Sequence, residues 1–238
     1  MKPLNRKNYG SIPHLSNSKL GDGDHFIGEG QERILTIKTR DRHDEVFVFE
    51  KYDGSNVGVG KMNNKIFALT RSGYEAKTSP YKQHHLFGEW VEDNKTMFLD
   101  MLNDGERIAG EWLAKAHGLI YSISTEPIVF FDHFNKKNER SEFEYLVATS
   151  GLYGFQLPRM LHNGSAINVS ELLPILNKRT NDIYAEEKPE GMVYRVERKG
   201  KVDFLAKWVR NDFEAGKYLI NVDDEKHIWN IKTPLAVQ

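Results

Sequence analysis

Residues 46–55 read Val46-Phe47-Val48-Phe49-Glu50-Lys51-Tyr52-Asp53-Gly54-Ser55. An apolar, β-prone run stops abruptly at charged residues, as expected of a buried strand leaving the core. Lys51 therefore sits at the end of a strand, just before a tight Asp-Gly turn. Such a lysine is placed to be reactive, because partial burial and neighbouring cations favour the neutral, nucleophilic amine. An exposed lysine stays protonated at neutral pH. A surface lysine opening an ordinary hairpin turn would carry the same tetrapeptide, so the rest of the chain has to decide.

The bulk properties narrow the class. The chain has 238 residues, 39% hydrophobic and 28% charged, which suits a soluble globular protein with a proper core and excludes wholesale disorder. No apolar stretch is long enough for a transmembrane helix, and the basic start Met1–Asn8 leads into no apolar segment, so no membrane partner and no secretory signal are expected. There is no cysteine, which removes disulfides, thiolate nucleophiles and cysteine-ligated zinc and makes a cytoplasmic, intracellular location the default. The net charge of −1 argues against long non-specific phosphate contacts; any grip on nucleic acid would come from local Lys and Arg clusters.

Along the chain, residues 1–44 read as loops and turns, apart from a short strand expected at Ile34, Leu35 and Ile37. His14, His25 and His43 lack close metal-ligand spacing. Val57 to Leu69 flank Asn63-Asn64, a hairpin whose return strand carries Arg71 back towards Lys51. Residues 79–103 read as helical, with Trp90 in the core. Arg107–Leu113 is a strand with Glu111 in apolar surroundings, where a carboxylate needs a polar partner, either an arginine or a ligand. Pro127–Phe134 is a buried strand. Ser141 and Glu144 predict a capping box for a helix to about Ala148, and Ser170-Glu171 opens a short helix containing Pro174. Gly191–Val196 and Val202–Trp208 form the last hairpin, and residues 211–238 read as a short helical tail packed on a unit spanning 1–210. The class is α+β, rich in antiparallel hairpins.

Strand ends thus present Lys51, Arg71, Glu111, Phe131, Glu190 and Lys207 in that order. The motifs are Lys51-Tyr52-Asp53-Gly54-Ser55, Arg71-Ser72-Gly73, Gly110-Glu111-Trp112, Phe130-Phe131-Asp132, Glu190-Gly191-Met192-Val193 and Ala206-Lys207-Trp208. Together they resemble the covalent nucleotidyltransferases, and most closely the ATP-dependent RNA ligases of the phage nick-sealing and RNA-editing branch. The resemblance covers roughly residues 1–210 and implies a nucleotidyltransferase domain of antiparallel sheets flanked by helices, acting as a monomer on RNA ends or nicked duplex with ATP and Mg²⁺ or Mn²⁺.

The resemblance implies that Lys51 attacks the α-phosphorus of ATP, with Lys207, and in a lesser part Arg210, holding the phosphate and depressing the lysine pKa. Arg71 would fork onto ribose or phosphate oxygens, Glu111 would accept from the ribose hydroxyls, and Glu190 would bind Mg²⁺. Phe130 or Phe131 would stack on adenine; Phe131 is preferred for its place beside Asp132. Glu50, Asp53 and Gly54 complete the expected nucleotide site. Two departures stand out. Leu205 replaces a lysine common in the last motif, and the chain leaves no room for the OB-fold domain that DNA ligases and capping enzymes usually append. The hairpin residues Arg195, Arg198, Lys199 and Lys201 read first as a solvated face and second as a grip on a duplex. A compact DNA-sealing ligase and a catalytically quiet end-binding protein remain the alternative readings.

Overall fold

The chain passes from one antiparallel sheet to another within residues 52–54, directly after Lys51. The structure, a computed structural model, describes residues 1–179, 182–219 and 227–231. Its elements are α1 (Glu29–Thr36), β1 (Asp44–Lys51), β2 (Ser55–Met62), β3 (Lys65–Thr70), a 3₁₀ turn (Ala76–Thr78), α2 (Lys82–Asp93), α3 (Lys95–Met101), β4 (Arg107–Trp112), β5 (Tyr121–Ile123), β6 (Ile128–Phe134), α4 (Phe143–Tyr153), β7 (Met160–Gly164), α5 (Val169–Leu176), β8 (Ile183–Ala185), β9 (Gly191–Arg198) and β10 (Val202–Val209). One sheet has the order β10-β9-β1-β7, the other β3-β2-β4-β6, and β5 pairs with β8.

β1 is buried on both faces, which explains its unbroken apolar run. Phe47 and Phe49 join a core with Val57, Val59, Ile108 and Phe130 and with residues of α2, α3 and α4. Val46 and Val48 face the opposite way, onto Leu35 of α1 and Leu172 and Leu176 of α5. The β2–β3 hairpin turns at Asn63 and Asn64, whose φ angles of 52° and 56° suit the right-handed twist of the strands it joins.

Several local expectations change. Residues 34–36 lie in α1 rather than a strand, because only Leu35 is fully buried, Ile37 is largely exposed, and Glu29 and Glu32 favour a helix start. Ser141 makes no capping box. Its hydroxyl meets His133 Nδ1 at 2.7 Å, and the Phe143 amide that opens α4 donates to Glu197 at 2.7 Å. α4 also runs on to Tyr153, closed by Gly154 at φ 76°. α5 forms near the expected place but starts at Val169, with a capping box set by Asn168 and Glu171 rather than by Ser170. Of the expected helical tail, residues 211–219 and 227–231 form turns and an extended bridge in which Trp229 pairs with Lys115; the rest of that expectation lies outside the described residues.

The hairpin arginines are also not free. Arg195 is 2% exposed, donates to Asp132 at 2.6 Å and Glu197 at 2.6 Å, and thereby ties β9 of the first sheet to β6 of the second. Arg198 pairs with Asp41 and Asp44, both at 2.7 Å. Burial overturns the solvated-face reading for Arg195, whose donors are committed inside the fold, whereas Arg198 stays part-exposed in its ion pairs with Asp41 and Asp44.

Asp132 also accepts from Tyr9 at 2.5 Å and Arg140 at 2.9 Å. Its replacement by alanine strands buried cations, and D132A is expected to lose roughly 3–5 kcal/mol of stability. Urea unfolding monitored by circular dichroism reads this directly; a loss below about 1 kcal/mol would show that the bridge does not hold the sheets together.

Candidate active site

Alternation along β1, β9 and β10 brings Phe49, Lys51, Val193, Arg195, Leu205 and Lys207 to one face of the first sheet. Across a cleft, β2, β4 and β6 present Asn56, Glu111, Phe131 and Asp132. Simple alternation would send Phe131 and Asp132 to opposite faces. A β-bulge prevents that: Ala109 pairs with Asp132 and Gly110 with Phe130, leaving Phe131 as the extra residue. Phe131 and Asp132 then both line the cleft, while Phe130 is fully buried among Trp90, Phe98 and Phe155. Tyr9 closes one wall, its ring meeting Phe131 edge to face at a centroid distance of 5.1 Å.

Lys51 ends in this cleft with its Nζ 2.6 Å from Glu190 Oε2. Burial pushes the ammonium towards its neutral form, but Glu190, Glu111 and Asp53 outweigh burial and its pKa is raised. The expected depression by neighbouring cations does not occur, since carboxylates rather than cations surround the amine. Burial in turn pushes Glu190 and Glu111 up to about 7, with Lys51 only partly offsetting it. Glu50 is likewise raised to about 7 by burial, against the pull of Arg159 at 3.2 Å. Acidic groups packed in a dry cleft, with pKa values displaced by burial, mark a site built to meet something other than the protein.

The other expected site residues fall into place as follows. Glu111 takes neither Arg71 nor Arg107 as a hydrogen-bond partner; it accepts from the Gly54 amide at 3.1 Å. Gly54 has to be glycine, because a Cβ there would meet the Trp112 carbonyl oxygen at 2.5 Å. Asp53 accepts from the Gly118 amide at 2.5 Å, which fixes the turn after Lys51. Arg71 stands exposed at the rim, 3.5 Å from Ser11. Lys207 lies on the same face of the first sheet as Lys51, two strands away and near Asp24 at 3.3 Å, and its pKa is lowered by burial. Arg210 is not among the cleft residues; it donates to the Pro189 carbonyl and pairs with Asp212 at 3.0 Å.

A second, more polar cavity opens beside the first and shares Lys51, Asn56, Arg71 and Glu111 with it. Lys7, Ser11, Ser72, His84 and His117 complete its wall. Tyr9, Lys7 and Asn56 were not singled out from the sequence. The first two lie in a stretch read as loop, and Asn56 merely follows the motif; its buried Oδ1, which has no hydrogen-bond partner, is visible only in three dimensions.

A sequence profile of the RNA ligase family matches residues 44–209. The chain belongs to the RNA ligase family. No curated protein matches its sequence. Solved structures that resemble this family member include a protein named as an ATP-dependent DNA ligase from Aquifex aeolicus (TM-score 0.53, 18% identity, covering 84% of this chain and 49% of that one). An archaeal ATP-dependent RNA ligase follows (TM-score 0.53, 17% identity, 84% and 48%), then a Naegleria gruberi RNA ligase variant solved with ATP and Mn (TM-score 0.50, 15% identity, 71% and 51%). This likeness establishes the nucleotidyltransferase fold, and the chain spans about half the length of these ligases. Among the described residues no helix is long and apolar enough to cross a membrane.

The chemistry beside Lys51 also fits a divalent cation of the Mg²⁺ type. Among the described residues no group of three or more His, Asp or Glu is arranged to hold a metal by itself. Mg²⁺ needs less than that, taking one or two carboxylates and completing its shell with water and phosphate oxygens. Glu190, buried against Lys51 behind the cleft lining, and the half-buried Glu111 are the carboxyls next to Lys51 that would supply them.

The raised pKa of Glu111 has a sign that stability measurements can read. A carboxyl near 7 when folded and near 4.5 when unfolded stabilises below about 4.5, and that contribution is lost as pH rises through about 7. Glutamine keeps an oxygen for the Gly54 amide but does not titrate. The stability of E111Q relative to the parent should therefore grow from pH 5 to pH 8, by on the order of 2–3 kcal/mol. Urea unfolding at both pH values tests it, and a pH-independent difference would contradict the assignment.

Proposed function

We propose that this RNA ligase family member is an ATP-dependent polynucleotide ligase that adenylylates Lys51, passes the AMP to the 5′-phosphate of an RNA strand and seals that end to a 3′-hydroxyl. What supports the reading is the setting of Lys51 in a cleft lined both by apolar side chains (Ile12, Phe131, Val193, Leu205) and by charged ones (Glu111, Arg71, Lys207). That combination suits a nucleotide, which brings a flat base and anionic phosphates.

In the first step Lys51 Nζ bonds to the α-phosphorus as the bond to the pyrophosphate oxygen breaks. The ammonium first loses a proton, and Glu190 Oε2 at 2.6 Å is the acceptor within reach. An in-line displacement at phosphorus depends on positioning and charge neutralisation, which Lys207 and Arg71 would supply. Phe131 would stack on adenine, Glu111 would accept from the ribose and Glu50 would face the base. Asp53 and Gly54 would act through the turn they hold, and Arg210 through the Pro189 backbone beside Glu190. Once Glu190 has passed the Lys51 proton to solvent, it would hold a bound Mg²⁺ or Mn²⁺, which would neutralise charge on the triphosphate. In the second step a 5′-phosphate oxygen displaces Lys51 from the AMP phosphorus; in the third a 3′-hydroxyl attacks the activated end and AMP leaves. We read residues 1–210 as the catalytic unit, with the described residues 211–219 and 227–231 packed against it, working as a monomer inside the cell.

The Aquifex match favours a second reading, in which the sealed strand is DNA. The family profile favours RNA. A labelled nicked duplex whose 3′-hydroxyl strand is either RNA or DNA separates the two, with sealing of the RNA nick expected and loss of sealing in K51A. In the same assay F131A should raise the ATP requirement roughly fivefold to 150-fold, the equivalent of ~1–3 kcal/mol of base stacking. Unchanged ATP dependence would remove Phe131 from the base site.

A further inference from the structure

The N-terminal segment supplies the partner of Lys207, a contribution no strand-end motif announces. Residues 13–15 run parallel to β10: the Lys207 amide donates to the Pro13 carbonyl at 2.9 Å, and the Leu15 amide donates to the Lys207 carbonyl at 2.9 Å. On the other side residues 25–27 pair with His14, so the segment is clamped between two extended stretches. Within this clamp Asp24 lies 3.3 and 3.4 Å from Lys207 Nζ. His14, only 1% exposed, reaches Asp24 Oδ2 from Nε2 at 2.8 Å and Ser18 Oγ from Nδ1 at 2.6 Å. Ser18 Oγ already accepts from the Val209 amide at 2.8 Å, so its own proton is free for His14 Nδ1. That assigns His14 as the neutral tautomer with its proton on Nε2, donated to Asp24. Burial and Lys207 both lower the His14 pKa, in keeping with a neutral ring.

We propose that Asp24, oriented by His14, is a positioning residue that keeps Lys207 charged and aimed into the cleft for the α-phosphate of the nucleotide. The inference rests on the ligase reading above. Lys207 needs such a partner. Burial and the nearby Lys51 lower its pKa, and Asp24 and Glu190 are the carboxylates that oppose them. The 3.3 Å contact is loose enough for an incoming phosphate to compete for the ammonium without dragging Asp24 along. Ser18 is no nucleophile here: it is buried and its oxygen is occupied by Val209. The arrangement is a chain of hydrogen bonds ending in a cation, with the Gly21 amide also donating to Asp24 at 3.2 Å.

The test is D24N, with H14A as a second variant should the first not fold. Lysine labelled with ¹³C at Cε, assigned by comparison with K207Q, reports the Lys207 titration in the intact protein whether or not it is active. The groups facing that amine are Asp24, His14, Lys51 and Glu190; D24N removes the Asp24 charge and with it the pull that raises the His14 pKa, which leaves that ring neutral. The Lys207 midpoint should move to lower pH. In single-turnover adenylylation at saturating ATP, D24N should be slowed about tenfold to a hundredfold with little change in the ATP KM, and its alkaline fall in rate should begin at lower pH. A merely structural Asp24 would shift melting and leave the pH profile in place. An unmoved Lys207 titration, or wild-type rate and pH profile in D24N, would overturn the inference. If the parent protein forms no AMP adduct, the ligase reading fails instead, and the titration still decides whether Asp24 sets the charge of Lys207.

Discussion

A half-buried ammonium 2.6 Å from a buried carboxylate, Lys51 and Glu190, sets the terms for everything around the cleft. The pair sits where the chain leaves one sheet for the other, and both sheets contribute to its setting. Glu111 and Asp53 approach from the second sheet and its leading turn, while Lys207 comes from the far edge of the first. Two charges taken from water are costly unless each meets the other with good geometry, and removing one partner strands the other. The fold therefore has to hold the sheets at a fixed spacing. It does so beneath the cleft with Asp132 and Arg195, a second buried pair that runs from β6 to β9.

Around Lys51 the balance is deliberately incomplete. Glu50, Glu111 and Glu190 all carry pKa values near 7, so the site holds carboxyls that burial has brought close to protonation. Asn56 keeps a buried oxygen without a partner. Such features lower stability in the free protein and are relieved by a ligand that brings cations and donors. An amine held as ammonium by its neighbours is a resting nucleophile, since attack requires its proton to leave. On the proposed reading, binding of a nucleotide with its divalent cation would shift that balance and so would couple activation of Lys51 to the presence of the nucleotide.

Much of this was legible in the sequence because strand ends concentrate chemistry. The apolar run before Lys51, the Asn63-Asn64 turn and the apolar context of Glu111 each placed a residue that the cleft then collected. What could not be read had particular physical causes. The bulge at Phe131 is a pairing irregularity, and only the register of β4 against β6 reveals it. The sign of the Lys51 shift depends on which charges lie nearest in space, and Glu190 is distant in sequence. Arg195 looked like a surface charge on a basic hairpin, yet its alternation turns it inward to Asp132. α1 hid behind a β-prone Ile-Leu-x-Ile pattern because burial of Leu35 alone was enough to seat it. Asp24 and His14 lie in glycine-bearing loops, and only the parallel pairing of residues 13–15 with β10 brings them to Lys207.

The central claim is that Lys51 itself becomes covalently bonded to AMP. Incubation with α-labelled ATP and Mg²⁺, after stripping any existing adduct with pyrophosphate, followed by proteolysis and mass spectrometry of the labelled peptide, tests it most directly. The account predicts one AMP per chain, acid-labile as a phosphoramidate and located at Lys51, with no adduct from GTP. Label on another residue, or none in folded protein with any nucleotide, would contradict it.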